Sequence, residues 1–286
     1  MNKQKRVAAI HDISCFGKCS LTVALPVISA AGIEVSIIPT AVLSTHTGGF
    51  TGYTFRDLTD DIVPVADHWK SLGLEFDAFY TGYLGSFRQI HMVSEIFDTL
   101  KSENTVIIVD PVMGDNGSLY DAFDNNFPAE MKKLCRKADI IVPNITEALF
   151  MLGEAYKEGP YTKENINNLL KRLSYIGPSR IVLTGVYLDD DKIGAACYDR
   201  ETNEICYILE ERVKGYYHGT GDVFASALTA GVMKGLKLSD SVSLAVMFTL
   251  ESIKRTSKAG TDLRFGVNFE EGLGGLSENI NKMIAK

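Results

Sequence analysis

The stretches Arg6–His11 (RVAAIH), Ser20–Ala31 (SLTVALPVISAA) and Glu34–Val42 (EVSIIPTAV) read as strand, helix and strand. The first and third are continuous apolar or β-branched runs rather than alternating ones, as expected of strands covered on both faces. The same rhythm continues outward. Strand-like runs follow at Asp77–Leu84, Thr105–Val112, Asp139–Pro143 and Arg180–Tyr187, with helical patterns at Phe55–Leu72, Gln89–Leu100, Phe127–Arg136 and Lys163–Tyr175. Repeated strand-helix-strand units predict a parallel sheet with helices on both faces. The rhythm then changes. Ile193–Asp199 and Ile205–Val213 flank the turn-prone Asp199–Asn203 with no helix between them, which predicts an antiparallel hairpin. Helices are expected at Asp222–Lys234, at Asp240–Arg255 with Ser239 as its cap, and at Phe269–Ala285. With no linker, repeat or low-complexity stretch, residues 1–286 are expected to form one α/β domain.

The chain of 286 residues is long enough for a sizeable core, and its 45% hydrophobic and 23% charged residues match an ordinary globular protein. A net charge of −7 argues against a general nucleic-acid binder, though backbone N–H groups and a bound metal can still hold phosphates. The five cysteines are odd in number and contain no C-x-x-C pair, so reduced thiols are expected rather than a disulfide framework or a zinc site. The polar start Met1–Arg6 runs into Val7–Ile10, which is too short for a signal-peptide core. No apolar run approaches the roughly 20 residues of a membrane span. A cytoplasmic protein without nucleic-acid or membrane partners is the expectation.

His218-Gly219-Thr220-Gly221-Asp222, followed by Val-Phe-Ala-Ser-Ala-Leu-Thr-Ala-Gly, is the sharpest local feature. A glycine-rich turn opens a helix of small residues, and the free N–H groups and dipole of a helix N-terminus favour an anion. Asp222 falls in the first turn, where a carboxylate can take a proton from an attacking alcohol. The plainer reading of Asp222 is a helix cap. No Gly-Lys-Ser/Thr follows, so this is not a Walker A loop, and its late position after a hairpin excludes a Rossmann fingerprint. Upstream, Val109-Asp110-Pro-Val-Met-Gly114-Asp115 and Asp139-Ile-Ile-Val-Pro143-Asn144-Ile-Thr-Glu147-Ala148 end successive strands. Ligands in open α/β sheets bind beyond the carboxyl ends of strands. Asn144 and Glu147, three apart, also fit a capping box. Acidic tips on neighbouring elements can hold Mg²⁺ through waters, as phosphoryl transfer requires.

Gly-Thr-Gly-Asp opening a late helix, with Asp-Pro-Val-Met-Gly and Pro-Asn-x-x-Glu-Ala upstream, resembles the ribokinase superfamily. Within it the chain most resembles the vitamin-kinase branch of pyridoxal, pyridoxamine and hydroxymethylpyrimidine kinases, over nearly its whole length. The resemblance implies a ribokinase-like three-layer αβα sandwich, with a mostly parallel central sheet and the hairpin toward its C-terminal side. It implies ATP and Mg²⁺, leaves a monovalent cation (K⁺ or Na⁺) open, and suggests a homodimer. Carried over residue by residue, Asp222 is the general base and the backbone of Gly219, Thr220 and Gly221 the anion hole. Asp110 and Glu147 match positions that organise Mg²⁺. Asp115, Tyr120, Asn144 and Thr184 match positions on the nucleotide side, and Gly114–Asp121 is a candidate lid.

Leu43-Ser44-Thr45-His46-Thr47-Gly48-Gly49-Phe50 resembles the Ser-Asn-His-Thr-Gly-Tyr stretch of pyridoxal kinases, with Thr47 where that family hydrogen-bonds the pyridine ring. Thr81-Gly82-Tyr83 matches a second signature, whose tyrosine flanks the substrate ring. The plainer reading is a polar loop after a strand, with His46 a loop histidine. The first strand departs from the animal-type pattern: Asp12 stands where their substrate-contacting serine lies, which opens the choice among pyridoxal, pyridoxine and pyridoxamine. Some relatives carry a reactive cysteine beside the catalytic aspartate; His218 stands there, so no covalent thiohemiacetal is expected. ATP-dependent phosphorylation of the 5′-hydroxymethyl group of a B6 vitamer is the leading expectation. A hydroxymethylpyrimidine or sugar kinase of the same fold, and a non-catalytic vitamer- or nucleotide-binding protein, are the alternatives.

Overall fold

The structure, a computed structural model, describes residues 4–285; the polar start read at Met1–Arg6 lies outside them as far as Lys3. The first unit is β1 (Arg6–Ser14), α1 (Leu21–Ala30) and β2 (Glu34–Leu43). Then come β3 (Phe55–Asp57), α2 (Thr59–Ser71), β4 (Ala78–Thr81), α3 (Phe87–Leu100) and β5 (Val106–Val109). A small hairpin of β6 (Gly114–Asp115) and β7 (Ser118–Leu119) precedes α4 (Phe127–Cys135), β8 (Ile140–Ile141), α5 (Ile145–Leu152), α6 (Lys163–Ser174) and β9 (Arg180–Val186). The last part is β10 (Lys192–Asp199), β11 (Glu204–Glu211), α7 (Thr220–Met233), α8 (Leu238–Ala259) and α9 (Leu273–Ile284).

Nine strands form one sheet in the order β11-β10-β9-β8-β5-β4-β1-β2-β3. The six inner strands run parallel, as the unbroken apolar runs predict. The expected hairpin, β10 and β11, closes one edge antiparallel, and β3 closes the other. Alternation along the strands feeds two cores. Ile10, Phe79 and Val109 face one way, while Val7, Tyr80 and Ile108 face the other with Val223 and Leu228 of α7. Helices α1, α7, α8 and α9 cover the second face, so the fold is the three-layer αβα sandwich expected.

Several boundaries differ from the sequence expectation for local reasons. Phe55–Asp57 is not helical: it pairs with Leu43–Ala41, and Asp57 Oδ1 accepts the Thr59 N–H at 2.8 Å, so α2 starts only at Thr59. No side chain caps α8, which starts at Leu238 with Ser239 already inside its first turn. The helix expected from Phe269 opens with a 3₁₀ turn at Glu270–Gly272. The stretch expected as a loop at Gly114–Asp121 contains the β6–β7 hairpin. Asn116 (φ 50°) and Gly117 (φ 79°) both take the left-handed conformation that a two-residue hairpin turn demands.

The sheet order also locates a crevice. From β1 the chain crosses through α1 to β2 on one side, then returns to β4 on the other side of β1. Strands β1 and β4 therefore flank a point where the winding direction reverses, and the loops beyond their carboxyl ends part to leave room for a ligand.

Candidate active site

Helix α7 delivers the Gly-Thr-Gly-Asp segment to that crevice. Gly219 is its N-cap residue, with φ 74°, and a Cβ there would overlap the Lys18 carbonyl oxygen. Both facts demand glycine. No side chain caps this end, so the first N–H groups of the helix are left for an external acceptor. Asp222 is the third helical residue and caps nothing, contrary to its plainer reading. Burial pushes its carboxyl up to about 7; a Ser20 backbone N–H draws it down, and the nearby Asp12 adds to the rise. Ser20 takes φ 55°, a strained value for a residue with a side chain, where its N–H meets Asp222.

Asp110, just beyond β5, stands near both Asp222 and Glu147, the latter in the first turn of α5. For Glu147 the capping box is built: Asn144 Oδ1 accepts the Glu147 N–H at 2.9 Å, and Glu147 Oε2 accepts the Asn144 N–H at 2.9 Å. Its Oε1 accepts the Met113 N–H at 3.0 Å, and Asn144 Nδ2 donates to the Gly114 carbonyl at 2.8 Å. These two residues thus tie the segment after β5 to α5. Asp110 is held well above the usual carboxylate range by burial, then by the charges of Glu147 and Asp222. Among the described residues no Lys, Arg or His pairs with Asp110, Glu147 or Asp222. No cluster of three or more metal-ligating side chains occurs among them either. Two buried, unneutralised carboxyls suit Mg²⁺, which takes one or two carboxylates and fills its shell with water and phosphate oxygens.

Asp115 and Tyr120, expected near the nucleotide, lie on and beside the β6–β7 hairpin. The hairpin is pinned by the Gly117 N–H donating to Thr146 Oγ1 at 3.0 Å, and the Tyr120 N–H donates to the Met113 carbonyl at 3.0 Å. Thr184 of β9 meets Asn144 in a single parallel bridge. Tyr216 Oη donates to Asp115 Oδ2 at 2.9 Å, its ring lies 5.0 Å from that of His218, and His218 lies 5.4 Å from His46. This chain of contacts joins the β6–β7 hairpin to the 44–50 loop, and nothing in the local sequence pattern of any one segment announces it.

On β1, a register break between His11 and Ile13 sets Asp12 alone against Thr40 and Ala41, a bulge in the neighbouring β2. The Asp12 carboxylate accepts from Ser20 Oγ at 2.5 Å and Ser14 Oγ at 3.3 Å. Burial raises its pKa and the Ser20 hydroxyl opposes the rise. Tyr83 lies close enough for the Asp12 charge to act on it: burial, then Asp12, pushes its phenol up to about 12. Asp12 and Tyr83 are thus brought together. Thr47 is exposed, and it is His46 that turns inward, with Nε2 2.6 Å from the Arg264 carbonyl and Nδ1 accepting the Gly48 N–H at 3.1 Å. Ser14 and Ser20 carry no site role in the sequence expectation; two serines within eight residues after Asp12 are the signal that was there to find. Cys19 lies near Asp222 and Asp12, but burial and then their charges push its thiol well up, so it stays protonated and a poor nucleophile.

The profile of the family described as phosphomethylpyrimidine kinase matches residues 25–266. The chain belongs to that family. It is a kinase of ribokinase-like fold. A structure from Bacteroides thetaiotaomicron, provisionally described as a phosphomethylpyrimidine kinase and crystallised with pyridoxal, shares 40% identity over 96% of each chain with a TM-score of 0.92. Pyridoxal kinase from Lactobacillus plantarum shares 31% identity over 96% of this chain and 97% of that one, with a TM-score of 0.88. Among curated sequences, pyridoxal kinase from Bos taurus is 27% identical over 90% of this chain and 87% of its own. Among the described residues of this kinase, no helix is long and apolar enough to cross a membrane.

Proposed function

We propose that this kinase transfers the γ-phosphoryl group of ATP to the 5′-hydroxymethyl oxygen of a B6 vitamer. One juxtaposition carries the reading. The uncapped, glycine-opened end of α7 and the buried Asp222 stand beside the Asp12–Tyr83 pair at the point where the sheet reverses direction. The backbone N–H groups of Gly219, Thr220 and Gly221 receive the transferring phosphoryl group, where fixed donors stabilise developing charge. Asp222 takes the proton from the attacking hydroxyl. Asp12, supported by Ser14 and Ser20, accepts from the phenolic OH of the vitamer or pairs with its protonated ring nitrogen, and Tyr83 flanks the ring. Thr47, exposed here, reaches the ring only if its loop turns inward on binding.

Asp110 and Glu147 are the residues that would hold Mg²⁺, Asp110 with the freer carboxyl and Glu147 through water. Bound there, Mg²⁺ would neutralise charge on the phosphate oxygens. Asp115 and Tyr120 cover the nucleotide phosphates, and Thr184 and Asn144 line their side. The protein acts as one domain, as a homodimer, in the cytoplasm.

A second reading keeps the same chemistry with a hydroxymethylpyrimidine as acceptor, and the family's own description favours it. ADP release with Mg·ATP and each of pyridoxal, pyridoxine, pyridoxamine, hydroxymethylpyrimidine and ribose separates them. At least a tenfold higher kcat/KM for one B6 vitamer than for the pyrimidine is expected, at roughly 1.4 kcal/mol per factor of ten. Rapid turnover of the pyrimidine alone would replace the acceptor and leave the role of Asp222 standing. Tight vitamer binding without ADP release from any acceptor would point to a binding protein.

A pH dependence follows from Asp222. The base must be ionised to work, and burial pushes its carboxyl up to about 7. With Mg·ATP fixed, kcat/KM is expected to fall tenfold per pH unit below about 7 and to level off above it, because kcat/KM reports the free enzyme. A profile flat from pH 5 to 8 would contradict the environment described for Asp222.

A further inference from the structure

The segment that leads into α7 bridges two loops, the β6–β7 hairpin beyond the carboxyl end of β5 and the 44–50 loop beyond that of β2. At the hairpin, Asp115 Oδ1 accepts the Asn116 N–H at 2.8 Å, and its Oδ2 accepts from Tyr216 Oη at 2.9 Å. A phenol donating to a carboxylate makes a charge-assisted bond, stronger than a neutral one. Tyr216 then meets His218 edge-on, with ring centroids 5.0 Å apart and planes at 86°. At the other end, a Cβ on Gly48 would lie 2.5 Å from His218 Nδ1, so the His218 ring rests directly on the loop backbone. Tyr217, between the two, packs instead on the core beneath α7. Its carbonyl accepts from Thr220 Oγ1 at 3.2 Å, which makes this strap and the first turn of α7 one piece.

Each loop has an anchor of its own. The Gly48 N–H donates to His46 Nδ1 at 3.1 Å, so Nε2 carries the ring proton and donates it to the Arg264 carbonyl at 2.6 Å. Phe50 of the same loop lies parallel to Phe265, rings 6.4 Å apart, with the Arg264 guanidinium 5.5 Å from the Phe50 ring. The hairpin is tied to α5 by the Gly117 N–H on Thr146 Oγ1. What Tyr216 and His218 add is the connection between the two. Tyr216 is 53% exposed, so its hydroxyl contributes little to the stability of the core. A bond made in the open to a residue far away in the chain fixes position.

We propose that Tyr216 is a positioning residue that holds the β6–β7 hairpin and the 44–50 loop in register over Gly219–Gly221, so that nucleotide and acceptor bind cooperatively through Tyr216 and His218. A substrate that settles one loop fixes the strap, and less freedom is then lost when the other loop settles. The coupling is reciprocal, as any coupling between two binding equilibria must be. The inference rests on the nucleotide role proposed for Asp115 and Tyr120 and on a B6 vitamer as acceptor.

Calorimetric titration of pyridoxine, alone and with saturating Mg·AMP-PCP, tests this on the purified protein. The parent is expected to bind pyridoxine at least about fivefold tighter with the analogue present, the lower end of ordinary coupling between sites. Tyr216→Phe keeps the ring against His218 and removes one oxygen. It is expected to bind pyridoxine alone within about twofold of the parent, and to show an enhancement of no more than about twofold with the analogue. Asp115→Asn, whose side-chain oxygen can still accept from the phenol, is expected to keep the enhancement, and Asp115→Ala to lose it. A merely structural role for Tyr216 would lower the melting temperature and leave the enhancement as it is. An enhancement in Tyr216→Phe equal to that of the parent overturns the inference, and so does a parent that shows none. Failure of the acceptor reading looks different: pyridoxine then does not bind the parent at all. Hydroxymethylpyrimidine takes its place in the same titrations, and the same results decide.

Discussion

Asp222→Asn is expected to lower kcat by about two to four orders of magnitude, the range that a positioned general base contributes, while ATP still binds. The amide keeps the shape of the side chain, so it can still accept the Ser20 N–H, but it cannot take a proton. Stability should move the opposite way. The folded-state pKa of Asp222 is raised to about 7, above its ordinary value of 3.8. Such a group favours the fold below its unfolded value, and that contribution is lost as pH rises toward 7. The variant is therefore expected to melt no lower than the parent at pH 8, with its advantage shrinking on acidification toward pH 4. Single-turnover phosphorylation, nucleotide titration and thermal unfolding at the two pH values check the three parts. Near-normal turnover would reject the base assignment, whatever the stability result.

Gly219→Ala is expected to be nearly as damaging, through geometry and not through proton transfer. Holding a residue with a side chain at φ 74° costs about 1–2 kcal/mol by itself. The new Cβ would also overlap the Lys18 carbonyl oxygen. Lys18 cannot retreat freely, because its N–H donates to the Phe265 carbonyl at 3.0 Å and its Nζ donates to Asn268 Oδ1 at 2.8 Å. The 18–20 segment would have to shift, and the Ser20 N–H would move away from Asp222. A loss of about 100-fold in kcat/KM is expected, the cost of displacing catalytic groups by roughly 1 Å, together with a lower melting temperature. A folded variant with normal kinetics would show that this backbone does not carry the transferring group.

The two substitutions sit in His218–Asp222, whose glycine turn and helix start are legible in the sequence, because both are short-range chemistry. The lid segment was half legible. The sequence pattern marks it as a loop, while the Asn116-Gly117 pair within it is a direct signal for the tight hairpin that forms. The capping box at Asn144 and Glu147 was read as the plainer alternative, and it is built, with the Met113 contact added by the fold. Thr47 was read from the family pattern, yet His46 occupies the inward position, since the loop is held by the Arg264 carbonyl from a distant segment.

The sequence by itself determined the sandwich architecture and the identity of the glycine-opened helix, since apolar periodicity and turn chemistry act over a few residues. Only the tertiary structure decided which side chains converge. Asp12 meets Tyr83 because β1 and β4 are neighbours in the sheet though far apart in the chain. The Asp222 carboxyl is pushed up toward neutrality only because α7 buries it, with Asp12 nearby. Desolvation and charge proximity depend on three-dimensional packing, and a local pattern of residues does not encode them.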